Sequence, residues 1–280
     1  MKEFLEILKV ILLGIVEGIT EWLPVSSTGH MILLDEFISL NVSEGFKEMF
    51  FVVIQLGAIL AVPVLFWNRL YPFSKKKTKE ERGQILSLWL KVIVGVLPAA
   101  VLGLLLDDFF DEHFYNFPTV AAALVIYGIA FILIEKFKKN KQYRVESVYD
   151  LTYKDALIIG AYQVLSLIPG TSRSGSTILG GMLSGVSRTA SAEFSFFMAI
   201  PVMLGASFLK IVKFFLGGGI LSGLEIWLLV IGIVVSFVVS LVVIDFLMNF
   251  VKKHSFSVFG FYRIALGALL IGYFLIKTFA

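Results

Sequence analysis

Six runs of sequence, about residues 46–68, 83–106, 117–136, 190–214, 223–249 and 257–279, consist mostly of Leu, Ile, Val, Phe and Ala and end at charge or glycine. Each is long enough, as a helix, to cross the roughly 30 Å hydrocarbon core of a bilayer. A chain of 280 residues that is 58% hydrophobic has no room for a soluble domain beside them. The sequence therefore reads as one integral membrane domain over 1–280, all-α and polytopic, because helices satisfy their own backbone within lipid. The N-terminal hydrophobic segment carries Glu3, Glu6 and Lys9 and no small-residue cleavage site, so a cleaved signal peptide is not expected. The sequence contains no cysteine, which excludes disulfides and thiolate chemistry.

Two further hydrophobic regions, 3–38 and 155–185, are interrupted by polar residues and break at Pro24 and at Pro169-Gly170. The first interruption runs Glu17-Gly-Ile-Thr-Glu21-Trp-Leu-Pro24-Val-Ser26-Ser27-Thr28-Gly29-His30. The second runs Gln163-Val-Leu-Ser-Leu-Ile-Pro169-Gly170-Thr171-Ser172-Arg173-Ser174-Gly175-Ser176-Thr177. Left unpaired at membrane depth, Glu17, Glu21, His30 and Arg173 would together cost on the order of 10 kcal/mol. Half-length apolar arms around a Pro/Gly/Ser break predict re-entrant hairpins, since irregular backbone survives in a bilayer only where it lines a cavity. Two ordinary spans within 3–38 are the rival reading.

Lys and Arg set the orientation. Arg69, Lys75, Lys76, Lys77, Lys79 and Arg82 crowd one loop, Lys136, Lys138, Lys139, Lys141 and Arg144 another, and Lys252 and Lys253 a third. The positive-inside rule makes all three cytoplasmic and puts the acidic connection Asp107, Asp108, Asp111, Glu112 outside. The first hairpin then enters from the outer face and the second from the cytoplasmic face. Each is followed by three spans, which predicts an inverted repeat of about 1–140 and about 150–280. Such repeats place a shared site where their broken helices meet near the midplane.

Glu17 and Glu21, four apart, share a helix face. Close carboxylates in a dry pocket give one general acid or base, or oxygen ligands for a divalent cation. Of Ser26, Ser27 and Thr28, one is expected to cap the following helix, and another, beside a carboxylate or imidazole, is a candidate nucleophile. His30 lies within reach of that run. The stretch Pro169 to Gly175 is the stronger anion signal, because glycines permit a backbone nest, hydroxyls donate, and Arg173 can grip phosphate bidentately. Neutralisation of Glu17 or Glu21 by Arg173 is the structural alternative. Arg188 and Glu193 read as an interfacial ion pair, and Gln55 as a polar group free to bond a neighbouring helix or the site.

Together, Glu17-x-x-x-Glu21, Pro24-x-Ser-Ser-Thr-Gly-His30 and Pro-Gly-x-Ser-Arg173-Ser-Gly-x-Thr177 resemble the undecaprenyl-pyrophosphate phosphatase family, also called the bacitracin-resistance family. The likeness covers nearly the whole chain, including Gln55-Leu-Gly and the segment around Arg188 and Glu193, with both signatures intact. The resemblance implies an enzyme of the bacterial cytoplasmic membrane. It would remove the terminal phosphate of a C55 polyprenyl diphosphate, recycling the carrier for peptidoglycan synthesis and conferring bacitracin resistance. It also implies inverted repeats with re-entrant helices and a site opening to the outer side.

Carried over by motif, Glu17, Glu21, Ser27, His30 and Arg173 form the catalytic set, while Ser26, Thr28, Ser172, Ser174 and Thr177 line the phosphate cradle. Ser27, activated by Glu21 or His30, is the expected nucleophile, with His30 or water as alternatives. Mg²⁺ or Ca²⁺ held by Glu17, Glu21 and substrate is a candidate cofactor; no organic cofactor and no nucleic-acid partner are expected. The expected partners are the lipid substrate and the bilayer, with a homodimer left open. The competing function is a transporter that flips a polyprenyl phosphate lipid, because inverted repeats with broken helices are also transporter architecture. A structural envelope scaffold would leave the intramembrane charges without a purpose.

Overall fold

A computed structural model describes residues 2–114, 116–138 and 142–279. The loop residues Lys139 and Lys141 fall outside the described residues, as do the side chains of Asp107, Asp108 and Asp111. Twelve α-helices are described, with no strand among the described residues. Helices α1 (Lys2–Thr20) and α2 (Ser27–Ile38) flank the first break, and α8 (Tyr153–Val164) and α9 (Arg173–Leu183) flank the second. The first pair is followed by α3 (Glu44–Val53), α4 (Gln55–Leu65), a single turn α5 (Trp67–Leu70), α6 (Lys79–Phe114) and α7 (Phe117–Lys138). The second is followed by α10 (Arg188–Leu216), α11 (Gly223–Lys253) and α12 (Ser257–Phe279).

Six helical segments are long and apolar enough to cross a membrane: Glu44–Leu65, Lys79–Leu106, Phe117–Lys138, Arg188–Leu216, Gly223–Lys253 and Ser257–Lys277. They coincide with the six apolar runs read from the sequence. Their outward faces are Leu, Val, Phe and Trp, as lipid requires; Leu105 and Val242, for example, are largely exposed.

Small residues set how closely the helices approach, since lipid gives no hydrophobic drive for helices to associate. Helix α1 packs on α11, and α8 packs on α6. At the second crossing Gly160 lies so near Gly95 that a Cβ would come within 2.1 Å of the Gly95 carbonyl oxygen. Helices α7 and α12 cross at Gly128 and Gly260, where a Cβ on either would sit 2.7 or 2.6 Å from the other's carbonyl oxygen.

Several charges near the helix ends are paired. Near the basic loops, Arg69 pairs with Glu193, Arg144 with Asp155, and Arg188 with Glu135, whose carboxylate also accepts from the Phe256 amide. Arg188 and Glu193 therefore do not form one interfacial pair as the sequence suggested. They are five residues apart on α10, but each finds its partner on another segment. Gln55 bonds within its own segment, its amide reaching the Phe51 carbonyl at 3.5 Å.

Candidate active site

Both breaks are built alike. Helix α1 ends at Thr20, and Glu21 continues the turn through its amide to the Glu17 carbonyl at 3.0 Å. Pro24 cannot donate a backbone hydrogen bond, so the helix does not resume until Ser27. Ser26 holds φ at 75°, and its hydroxyl caps α2 by accepting from the Gly29 amide at 3.2 Å. In the second break Gly170 turns with φ +89°, and Ser172, at φ 74°, caps α9 by accepting from the Gly175 amide at 3.1 Å. A left-handed backbone at a non-glycine residue costs roughly 1–3 kcal/mol. The chain holds that conformation in the same motif twice, because each cap hydroxyl satisfies an orphan amide of the following helix.

The breaks meet through Glu21. One of its carboxylate oxygens, Oε1, accepts from Arg173 Nη2 at 2.9 Å; the other, Oε2, accepts from the Ser27 hydroxyl at 2.6 Å. Ser174 Oγ donates to the Glu21 backbone carbonyl at 3.1 Å. The guanidinium is oriented from behind, since Arg173 Nη1 donates to the Ser195 carbonyl at 2.7 Å and lies 3.3 Å from that serine's hydroxyl. Its central carbon sits 5.9 Å from the Trp22 ring centroid. The pair is nearly out of solvent, at 11% and 6% side-chain exposure. Charge-assisted hydrogen bonds in so dry a place hold their geometry tightly.

Several buried polar atoms here have no partner: Glu17 Oε1, Arg173 Nε, Trp22 Nε1, and both ends of the Gln163 amide. Glu17 is close enough to feel the charges of Glu21 and Arg173. Each Glu21 oxygen already accepts one hydrogen bond, whereas Glu17 Oε1 accepts none and is the least engaged carboxylate oxygen here. No cluster of three or more His, Asp or Glu suited to a metal occurs among the described residues.

His30 lies on the first turn of α2 with its ring fixed at both nitrogens. Nδ1 is 2.7 Å from the Ser26 carbonyl oxygen, which can only accept, so Nδ1 carries a hydrogen. Nε2 is 2.6 Å from the Tyr262 hydroxyl on α12. The imidazole is thus engaged by Tyr262, and the Ser27 hydroxyl turns to Glu21. Among the cradle candidates, Ser26 and Ser172 act as caps, and Ser172 and Ser174 hydroxyls lie 3.2 Å apart. Thr177 is fully buried and bonds the Arg173 carbonyl at 2.9 Å and Ser195 Oγ at 2.7 Å. It braces the arginine's own helix. Thr28 is half-buried at the start of α2.

Three residues at this site escape a sequence reading. Ser195, Tyr262 and Arg263 lie inside apolar spans. Of the three, Arg263 alone has a feature that sequence reasoning could have flagged, a charge inside an apolar span.

This arrangement can hold an anion between two helix N-termini, with a hydroxyl set on a carboxylate beside it. The family model described as "Bacitracin resistance protein BacA" matches residues 10–269. The chain belongs to the BacA family. Its relatives agree over almost their whole length. An Enterococcus faecalis protein named undecaprenyl-diphosphatase is 59% identical over 272 residues, 97% of this chain and 99% of its own. Proteins of the same name from Desulfitobacterium hafniense and Streptococcus mutans are 56% and 54% identical, each covering 98% of both chains. In this BacA-family chain the matched region contains both breaks and all five residues of the catalytic set named from the motifs.

Proposed function

We propose that this membrane protein is an undecaprenyl-diphosphatase, a hydrolase that converts a C55 polyprenyl diphosphate and water to the monophosphate and inorganic phosphate. Membership of the BacA family and the printed names of its relatives support the activity. Bacitracin resistance follows from the same membership. The observation that carries the chemistry is the bridging of Ser27 and Arg173 by one buried carboxylate, Glu21, at 2.6 and 2.9 Å.

The mechanism follows from those contacts. Glu21 Oε2 takes the proton as Ser27 Oγ attacks the terminal phosphorus. The bond from that phosphorus to the bridging oxygen breaks, and the polyprenyl monophosphate leaves as an anion. Arg173 balances the charge on the transferring group; its Nε and the second hydrogen of Nη2 are not bonded within the protein. The proton on Glu21 departs to solvent. Water then attacks the phosphoserine with Glu21 again as base; one water proton passes to Ser27 Oγ, and the other stays on the phosphate released. A divalent cation, when bound, supplies further positive charge to the phosphate oxygens. The spare Glu17 oxygen fits a cation carried on the diphosphate, because Mg²⁺ in such sites takes few carboxylates and several phosphate oxygens.

The two breaks are re-entrant hairpins of an inverted repeat. Support comes from the matching caps at Ser26 and Ser172 and from the order of elements, a broken helix pair followed by three spans, twice over. The like packing of α1 on α11 and of α8 on α6 points the same way. The basic loops support an orientation with the first hairpin at the outer face of the bacterial cytoplasmic membrane.

The test is phosphate release from a prenyl diphosphate by the purified protein, with Ser27→Ala and Arg173→Ala compared. Release should fall at least about 100-fold in both. Release unchanged in both, with lipid transfer across a vesicle bilayer lost instead, would establish the carrier reading.

A further inference from the structure

Arg263 lies on α12 with no accessible surface. No carboxylate among the described residues forms an ion pair with it. A buried cation without an anion is costly unless other groups solvate it, and here backbone carbonyls do so. Nη1 donates to the Pro24 carbonyl at 3.1 Å. Nη2 donates to the Gly170 and Thr171 carbonyls at 2.8 and 3.0 Å and lies 3.4 Å from that of Ala123. Nε is 3.4 Å from the Leu124 carbonyl. The Tyr127 ring centroid lies 5.5 Å from the guanidinium carbon.

These acceptors come from three places: the first break, the second break, and the α7 helix behind them. Pro24 stands two residues before the Ser26 cap, and Gly170 and Thr171 immediately before the Ser172 cap. One rigid fork therefore spans both irregular segments. Arg presents five N–H groups in a fixed plane, whereas the three donors of Lys radiate from one point and cannot reach carbonyls of two separate turns in the same geometry.

We propose that Arg263 is a positioning residue that fixes the separation and register of the two breaks, and through them the Ser27–Glu21–Arg173 alignment, without touching substrate. Glu21 and Arg173 sit on opposite sides of the gap that Arg263 spans. Loss of the fork lets the two turns part, and a misplacement of about 1 Å at the reacting groups lowers turnover about 100-fold.

The test uses Arg263→Lys in the full chain and two readouts. The activity readout rests on the phosphatase reading above: kcat should fall about 100-fold while KM changes less than about threefold. The second is independent of activity. The chain has no cysteine, so spin labels at Phe37→Cys on α2 and Leu183→Cys on α9, both exposed positions, report the distance between the helices leaving the two breaks. Arg263→Lys should broaden that distance distribution. An unchanged distribution, or kcat within about threefold of the parent, overturns the proposal. If the unsubstituted protein releases no phosphate at all, the phosphatase reading fails, and the label distances alone judge Arg263. Should Arg263→Lys not accumulate in the membrane, Tyr127→Leu decides. It leaves the fork but removes the ring beside it, and should shift both readouts the same way by less; no shift in either overturns the proposal.

Discussion

Ser27 donates its hydroxyl hydrogen to Glu21 at 2.6 Å, across the turn that separates α1 from α2. A hydroxyl is a weak nucleophile until a base takes its proton, and this base is six residues upstream and already in contact. The opposite oxygen of the same carboxylate is held by Arg173, so the base cannot rotate away. The proposed nucleophile, base and phosphate-binding cation thus form one hydrogen-bonded unit assembled from two distant parts of the chain.

Removing any member should therefore cost nearly as much as removing all. Ser27→Ala, Glu21→Gln and the double variant are expected to lower kcat by similar factors, each about 1,000-fold or more, because groups that act as a unit are strongly non-additive. Steady-state phosphate release measures this. Multiplying single losses in the double variant would mean that Ser27 and Glu21 act independently.

A covalent intermediate should be trappable. Rapid acid quench of the protein with substrate labelled at the terminal phosphate is expected to leave label on Ser27, and none on the Ser27→Ala variant. Label on His30, or turnover without a burst and with Ser27→Ala active, would assign the attack to imidazole or water.

The bond between His30 and Tyr262 should matter moderately. Tyr262→Phe removes one hydrogen bond, worth about 0.5–1.5 kcal/mol net, and should lower kcat by no more than roughly tenfold. His30→Ala also removes the ring that bonds the Ser26 carbonyl, and should cost more. Equal losses in the two variants would show that Tyr262 does more than hold the imidazole.

Gly160 is expected to be intolerant of any side chain. The Cβ of Gly160→Ala would fall 2.1 Å from the Gly95 carbonyl oxygen, so α8 must move off α6. Overpacking of this kind costs about 1–3 kcal/mol, visible as a lower unfolding temperature in detergent. Because α8 carries the second break, phosphate release should fall with it. Gly83→Ala, whose Cβ meets nothing within 4 Å, is the control.

Glu135 should be more sensitive to loss of charge than its place near a helix end suggests. Its side chain is 3% exposed, paired with Arg188 and accepting from the Phe256 amide. Glu135→Ala strands a partly buried guanidinium and an amide, a loss of about 3 kcal/mol by comparison with other broken buried pairs. An unfolding temperature equal to the parent's would mean that water replaces the carboxylate.

What the sequence determined by itself was the set of spans and the two interruptions. Hydrocarbon imposes a length and a composition on each segment separately, and Pro24 and Pro169-Gly170 interrupt apolar runs wherever they are read. It also singled out Glu17, Glu21, His30 and Arg173, ionisable groups that are costly in an apolar setting and stand beside a break, while Ser27 came from the family motif. Pairing is a different kind of information. That Arg173 takes Glu21 rather than Glu17, at 2.9 Å, that Arg188 reaches Glu135 while Glu193 takes Arg69, and that Tyr262 bonds His30 and Arg263 bonds carbonyls of both breaks all depend on how helices cross. Those crossings are set by glycine-sized gaps between helices far apart in the chain. A segment's apolar length is a property of that segment alone, whereas a contact between two segments exists only once both are packed, and only the tertiary structure decided it.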